Sequence, residues 1–146
     1  MTRTSSYWRG RAVLLEFPGS WLAVEDDSSL VLEAADRLLA VELVPVIAHP
    51  ERSLGLGADF EIARALVERG CLLCPNGDSA LGANGPVAEQ AFWRLLDEGL
   101  VALVASDGHS RQRPPRLDQA HRLLVKHYGE ASIEMLFDGS AIPWIR

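Results

Sequence analysis

The chain is short of most features that would settle its class at once. It has only two cysteines in 146 residues, Cys71 and Cys74, too few for a disulfide framework. They form one Cys-x-x-Cys pair with no second pair and no nearby histidine, which is a weak zinc signal. Because they sit in the apolar run Gly70-Cys71-Leu72-Leu73-Cys74-Pro75, they are expected to be inert core thiols. The loop behind them, Pro75-Asn76-Gly77-Asp78-Ser79-Ala80, has no arginine, which argues against a cysteine phosphatase that must grip phosphate with guanidinium. A basic excess is missing too: the formal charge is −6, whereas a dedicated nucleic-acid binder carries a basic footprint. No apolar stretch approaches the roughly 18 residues needed to span a bilayer. The charged start, Met1 to Arg11, leads into no segment of signal-peptide form. The expectation is a cytoplasmic protein, with no membrane insertion and no nucleic-acid partner.

What is present is a globular composition, 48% hydrophobic and 23% charged, in a length suited to one domain with a real core. Arg11 to Phe17 reads as a strand ended by Pro18-Gly19. After an acidic loop, Ser28 caps a helix running to about Glu42, with Leu30, Val31, Ala34, Ala35, Leu38, Leu39 and Val41 on one apolar face. Leu43 to Ala48 follows as a strand. Pro45 inside it removes a ladder donor, so this strand is expected at a sheet edge or with a bulge. A helix over about Ala58 to Arg69, a short strand over Cys71 to Cys74, and a glycine-rich loop over Pro75 to Gly85 come next. That loop lacks the lysine-serine or lysine-threonine pair of a phosphate-binding loop, and a turn-rich surface loop is at least as good a reading. Pro86 opens a helix to Glu98 with Phe92, Leu95 and Leu96 inward. Leu100 to Ala105 reads as a strand, Leu117 to Tyr128 as a helix, and Glu130 to Phe137 as a last one. Alternating strands and helices imply an α/β fold of about four parallel strands joined by right-handed crossovers.

Three of these strands close on groups that bind metals. Ala12-Val13-Leu14-Leu15 ends on Glu16, Val44-Pro45-Val46-Ile47-Ala48 ends on His49, and Leu103-Val104-Ala105-Ser106 ends on Asp107 with His109 two residues later. Parallel α/β folds keep their active sites at the C-terminal ends of the strands. A mixed set of imidazole and carboxylate ligands suits manganese, iron or zinc, which acidify bound water and polarise phosphoryl or carbonyl oxygens. Arg52 and Arg113 are placed to give the paired hydrogen bonds that a phosphate ester needs. Arg111 and Arg116 read as solvated loop charges. His121 and His127 read as helix-surface residues, and Trp21, Trp93 and Trp144 as packing groups.

Leu14-Leu15-Glu16-Phe17-Pro18, Pro45-Val46-Ile47-Ala48-His49-Pro50-Glu51-Arg52 and Ala105-Ser106-Asp107-Gly108-His109-Ser110, followed by Arg113-Pro114-Pro115, resemble in order and spacing the motifs of a known family. It is the bacterial PHP-type protein-tyrosine phosphatases of capsular and exopolysaccharide operons, related to the polymerase and histidinol phosphatase domain. Asn76-Gly77-Asp78-Ser79-Ala80-Leu81-Gly82 also resembles that family's loop after the intervening strand. The resemblance implies a partial (β/α) PHP-type barrel, with residues 1–146 a single domain forming its C-terminal part, about two-thirds of the whole. It implies a manganese-dependent centre, with iron or zinc as alternatives, in which Glu16, His49, Asp107 and His109 ligate metal and Arg52 and Arg113 hold phosphate. The implied partner is a phosphotyrosine protein, a polysaccharide-regulating tyrosine kinase.

Departures from the family pattern set the alternatives. The family's initial His-x-His motif is missing, the chain starting just before the strand that bears Glu16, and Gly139-Ser140-Ala141 stands where Asn-Pro is usual. A full metal cluster would then not be completed by one chain. The alternatives are an inactive or truncated remnant that binds phosphate groups without turnover, and a chain completed by a partner or by a second copy in a homo-oligomer.

Overall fold

Three short apolar runs form a parallel sheet in the order β1-β2-β3, with β1 Ala12–Leu15, β2 Val44–Ala48 and β3 Leu72–Cys74. The structure is a computed structural model that describes residues 12–17, 28–106 and 116–142. The register sets Leu14 beside Val46 and Leu15 beside Ile47, then Val46 beside Leu72 and Ile47 beside Leu73. Side chains alternate faces along a strand, so Leu15, Ile47 and Leu73 share one face. That face packs on the main core with Val31, Ala35, Phe60, Ala63 and Leu66. Leu14, Val46 and Leu72 look the other way, and Leu14 is 60% exposed.

The helices are α1 Ser28–Ala40, α2 Pro50–Ser53, α3 Glu61–Glu68, α4 Gly77–Ala80, α5 Pro86–Asp97, α6 Leu117–Tyr128 and α7 Glu130–Ile133, the last running into a tighter turn at Glu134–Leu136. The alternation of strand and helix expected from the pattern is present, with local shifts. The apolar face of α1 is narrower than expected: Val31 and Ala35 are fully buried, whereas Leu30 and Val41 are exposed. The helix expected from Ala58 begins at Glu61, because Asp59 Oδ1 accepts from the Glu61 amide at 3.0 Å and makes the preceding turn self-contained. Phe92 and Leu95 are buried as expected. Phe92 belongs to a second core with Val104, Leu124, Ile133 and Leu136, and the half-buried Val101 touches both cores. Cys71 and Cys74 are buried and not joined in a disulfide. His127 is exposed but lies on the Trp93 ring at 4.6 Å, and His121 is half-buried edge-on to Phe137. Trp21 and Trp144 lie outside the described residues.

Two expectations about strands need correction. β2 is the middle strand, not an edge, and Pro45 is tolerated there for a reason of register. His49 donates its amide to Cys74 O at 3.0 Å, so alternation points the amides of residues 47 and 45 toward β3 as well. The β2–β3 ladder begins only at Val46–Leu72, so the missing donor of Pro45 falls before that ladder starts. The fourth strand is likewise not a continuous ladder. Leu100 to Ala105 runs parallel to β3 but touches it at two separate bridges, Leu73–Val101 and Asn76–Ala105. Four steps of one chain cover three of the other, which is a bulge of one residue. Ala102 N and Leu103 N both point at Leu73 O, at 3.0 and 3.5 Å, and Val104 N turns aside to Leu136 O at 2.9 Å.

Candidate active site

The C-terminal end of the sheet brings together two of the groups that the motifs singled out, Glu16 and His49. Glu16 directly follows β1 and, two residues beyond Leu14, shares its face away from the helical layer. His49 directly follows β2 and adopts a left-handed backbone, φ 36° and ψ 53°. Such a conformation costs a non-glycine residue of order 1–3 kcal/mol and persists only where its surroundings enforce it. Here the His49 amide is held by Cys74 O, and its carbonyl accepts from Arg52 N at 2.9 Å, Ser53 N at 3.1 Å and Ser53 Oγ at 3.1 Å. The result turns the imidazole toward Glu16, with Nε2 3.9 Å from Oε1.

That distance is too long for a hydrogen bond. It is in range for two donors sharing one ion, since each would sit about 2.0–2.2 Å from a bound cation. His49 Nδ1 is buried with no hydrogen-bond partner among the described residues. Glu16 and His49 therefore fit a metal by donor type and by approach. Asp107, His109 and Arg113 lie outside the described residues. Among the described residues no group of three or more histidine, cysteine, aspartate or glutamate side chains converges. Arg52, on the single turn of α2 three residues after His49, is half-buried.

Sequence reasoning missed the residue between them. Glu51 is only 4% exposed. Its Oε1 accepts from the Asn76 amide at 2.9 Å and from Ser79 Oγ at 2.7 Å, while Oε2 is buried without a partner among the described residues. Burial pushes the carboxyl up to about 7, opposed by those two donors and by the neighbouring Arg52. The loop expected as plain surface turn is therefore partly core: Asn76 and Ser79 are buried and Asn84 Nδ2 donates to Ser79 Oγ at 3.0 Å. Asn76 caps α4, its side chain accepting from Asp78 N at 3.0 Å. An asparagine before Gly-Asp-Ser is a helix-start signal, and it could have flagged this turn.

Parallel strands alternating with helices, with an imidazole and a carboxylate brought together where two neighbouring strands end, define an α/β protein, a class that keeps its active sites on that face. The family is narrower still. The family model described as capsular polysaccharide synthesis, CpsB/CapC, matches residues 4–145, and the chain belongs to that family, as the motif resemblance implied. Tyrosine-protein phosphatase CpsB of Streptococcus pneumoniae is 31% identical over 106 residues, covering 68% of this chain and 44% of that protein. Putative tyrosine-protein phosphatase CapC of Staphylococcus aureus is 28% identical over 123 residues, covering 82% and 46%. A crystal structure from a study of YwqE from Bacillus subtilis and CpsB from Streptococcus pneumoniae, described as unique metal-dependent tyrosine phosphatases, superposes with a TM-score of 0.65 at 29% identity, covering 86% of this chain and 49% of that one. The chain thus spans about half the length of the curated relatives it matches.

Proposed function

We propose that this chain provides the metal- and phosphate-binding face of a phosphotyrosine-protein phosphatase acting in control of capsular or exopolysaccharide synthesis. The observation that carries the reading is the approach of His49 Nε2 to Glu16 Oε1, at 3.9 Å, on adjacent parallel strand ends. Asp107 and His109, which follow the Leu100–Ala105 segment in the chain, are proposed to complete the ligand set, with Arg52 and Arg113 holding the phosphate. Manganese is the proposed ion, with iron and zinc as alternatives, because the donors mix nitrogen and oxygen. When bound, such an ion supplies a water acidified to a nucleophile near neutral pH and polarises a phosphoryl oxygen. The protein's own share is electrostatic and positional. In a chain of net charge −6, a dianionic ester needs local guanidinium, and paired hydrogen bonds from Arg52 and Arg113 would hold its oxygens in line for attack. The proposed substrate is a phosphorylated tyrosine kinase of the polysaccharide system, in the cytoplasm. No helix among the described residues is long and apolar enough to cross a membrane.

The test is metal analysis of the purified chain followed by hydrolysis of p-nitrophenyl phosphate and of a phosphotyrosine peptide with added manganese. Metal-dependent turnover, abolished in His49→Ala, is expected. No bound metal and no turnover at any manganese concentration would overturn it. Phosphotyrosine-peptide binding that is lost in Arg52→Ala, with no hydrolysis by the parent chain, would replace it with the reading of a phosphate-binding remnant.

A further inference from the structure

Two carboxylates stand near His49, one in the structure and one in the chain, and the structure separates their roles. Glu16 offers an open carboxylate to the imidazole, its side chain 58% exposed. Glu51 is engaged differently: it is buried, and its Oε1 is taken by two donors of the protein.

Those two donors belong to the turn that follows β3. Asn76 and Ser79 begin and line α4, and Gly77 in the same turn donates to Ala105 O at 2.8 Å, while Ala105 donates to Pro75 O at 3.1 Å. Ala105 stands two residues before Asp107. A continuous set of hydrogen bonds thus runs from the His49–Arg52 turn, through Glu51 Oε1, across α4, to the strand end that leads into Asp107 and His109. The turn is packed as tightly as it is bonded: a Cβ on Gly77 would lie 2.8 Å from Ala120 Cβ.

We infer that Glu51 is a positioning residue: through Asn76 and Ser79 it fastens α4 and so fixes the strained His49–Arg52 turn relative to Ala105, two residues before Asp107 in the chain. The role rests on the proposed metal centre for its functional consequence, though the fastening itself stands apart from it. What Glu51 contributes is an acceptor at one point in space, not a charge delivered to the substrate. Partners that orient ligands from behind commonly govern metal affinity by about 10- to 100-fold.

Three variants of the full chain, Glu51→Ala, Glu51→Gln and Ser79→Ala, separate the fastening from the chemistry. Manganese affinity is read by titration calorimetry, and amide hydrogen exchange is read at Asn76 and Gly77. Glu51→Ala and Ser79→Ala are expected to weaken manganese binding by about 10- to 100-fold and to speed exchange at Asn76 and Gly77, with the amides of β2 unaffected. Glu51→Gln keeps an oxygen acceptor at the same place and should stay close to the parent in both. A fall in melting temperature without change in manganese affinity or in Asn76 and Gly77 exchange would overturn the inference, as would Glu51→Gln behaving like Glu51→Ala. Should Glu51→Ala fail to fold, Ser79→Ala, which removes one hydroxyl, carries the same comparison. Should the parent chain bind no manganese, the functional proposal falls, and unchanged exchange in the variants would remove the fastening as well.

Discussion

Replacing Gly77 with alanine tests how closely α4 is held against α6. The glycine is not needed for its backbone angle. It is needed for space, since an added Cβ would meet Ala120 Cβ at 2.8 Å, with Ala105 O and Val104 Cγ1 each at 3.6 Å. Carbon atoms rest about 3.5–4.0 Å apart, so one element must retreat by most of an ångström. Ala120 is fully buried on α6, and retreat on the other side strains the 2.8 Å bond from Gly77 N to Ala105 O. Overpacking of this kind costs about 1–3 kcal/mol, offset by about 0.4–1 kcal/mol from the stiffer unfolded chain. A net loss of about 1–2 kcal/mol follows, or about 2–8 °C in Tm at this chain length. The assay is urea denaturation of Gly77→Ala, Ala120→Gly and the double variant. Ala120→Gly alone should cost about 1 kcal/mol as a glycine in a helix, but the double variant should recover much of the Gly77→Ala loss, giving a coupling of at least about 0.5 kcal/mol. A neutral Gly77→Ala, or strictly additive effects, would refute the close approach.

Two more outcomes follow from the same physics. Burial, with help from Asp36 and against Arg69, raises the Cys71 thiol to about 11, so native Cys71 should resist iodoacetamide near pH 8 and react promptly in denaturant. Because its folded pKa lies above the ordinary value of 9.0, its contribution to stability is complete below pH 9 and lost as pH rises from 9 toward about 11; a urea midpoint that climbs across that window would contradict the assignment. Pro45→Ala restores an amide that would face no ladder acceptor, so it should lower stability by up to about 1 kcal/mol through the looser unfolded chain. A clear gain in thermal stability would show instead that the proline had been suppressing a β2–β3 bond.

Local signals carried the part of the site that is built locally. Glu16 and His49 are legible because each ends an apolar run, and the parallel alternation of strand and helix says where such ends collect. Glu51, Asn76 and Ser79 are not legible in the same way: their roles arise from hydrogen bonds between residues 25 and 28 positions apart, which no periodicity encodes. Pro45 misled for a related reason. Its local meaning is an edge, but strand order is decided by which neighbours pair, and the β2–β3 register makes the lost donor harmless. Leu100 to Ala105 has the composition of an ordinary strand. What interrupts it is Leu136 O taking the Val104 amide, a demand made by the far end of the chain.

The extra residue opposite Leu73 makes the segment before Asp107 behave as a reading frame. Sidedness along an extended chain has a period of two, and the bulge shifts that phase once, so that Ala105 and not Val104 comes level with Asn76. Any single insertion or deletion between Val101 and Ala105 is therefore out of frame for everything that follows, however conservative its chemistry, while changes of two residues are in frame. Parity, before side-chain chemistry, is what this stretch demands of any change in its length.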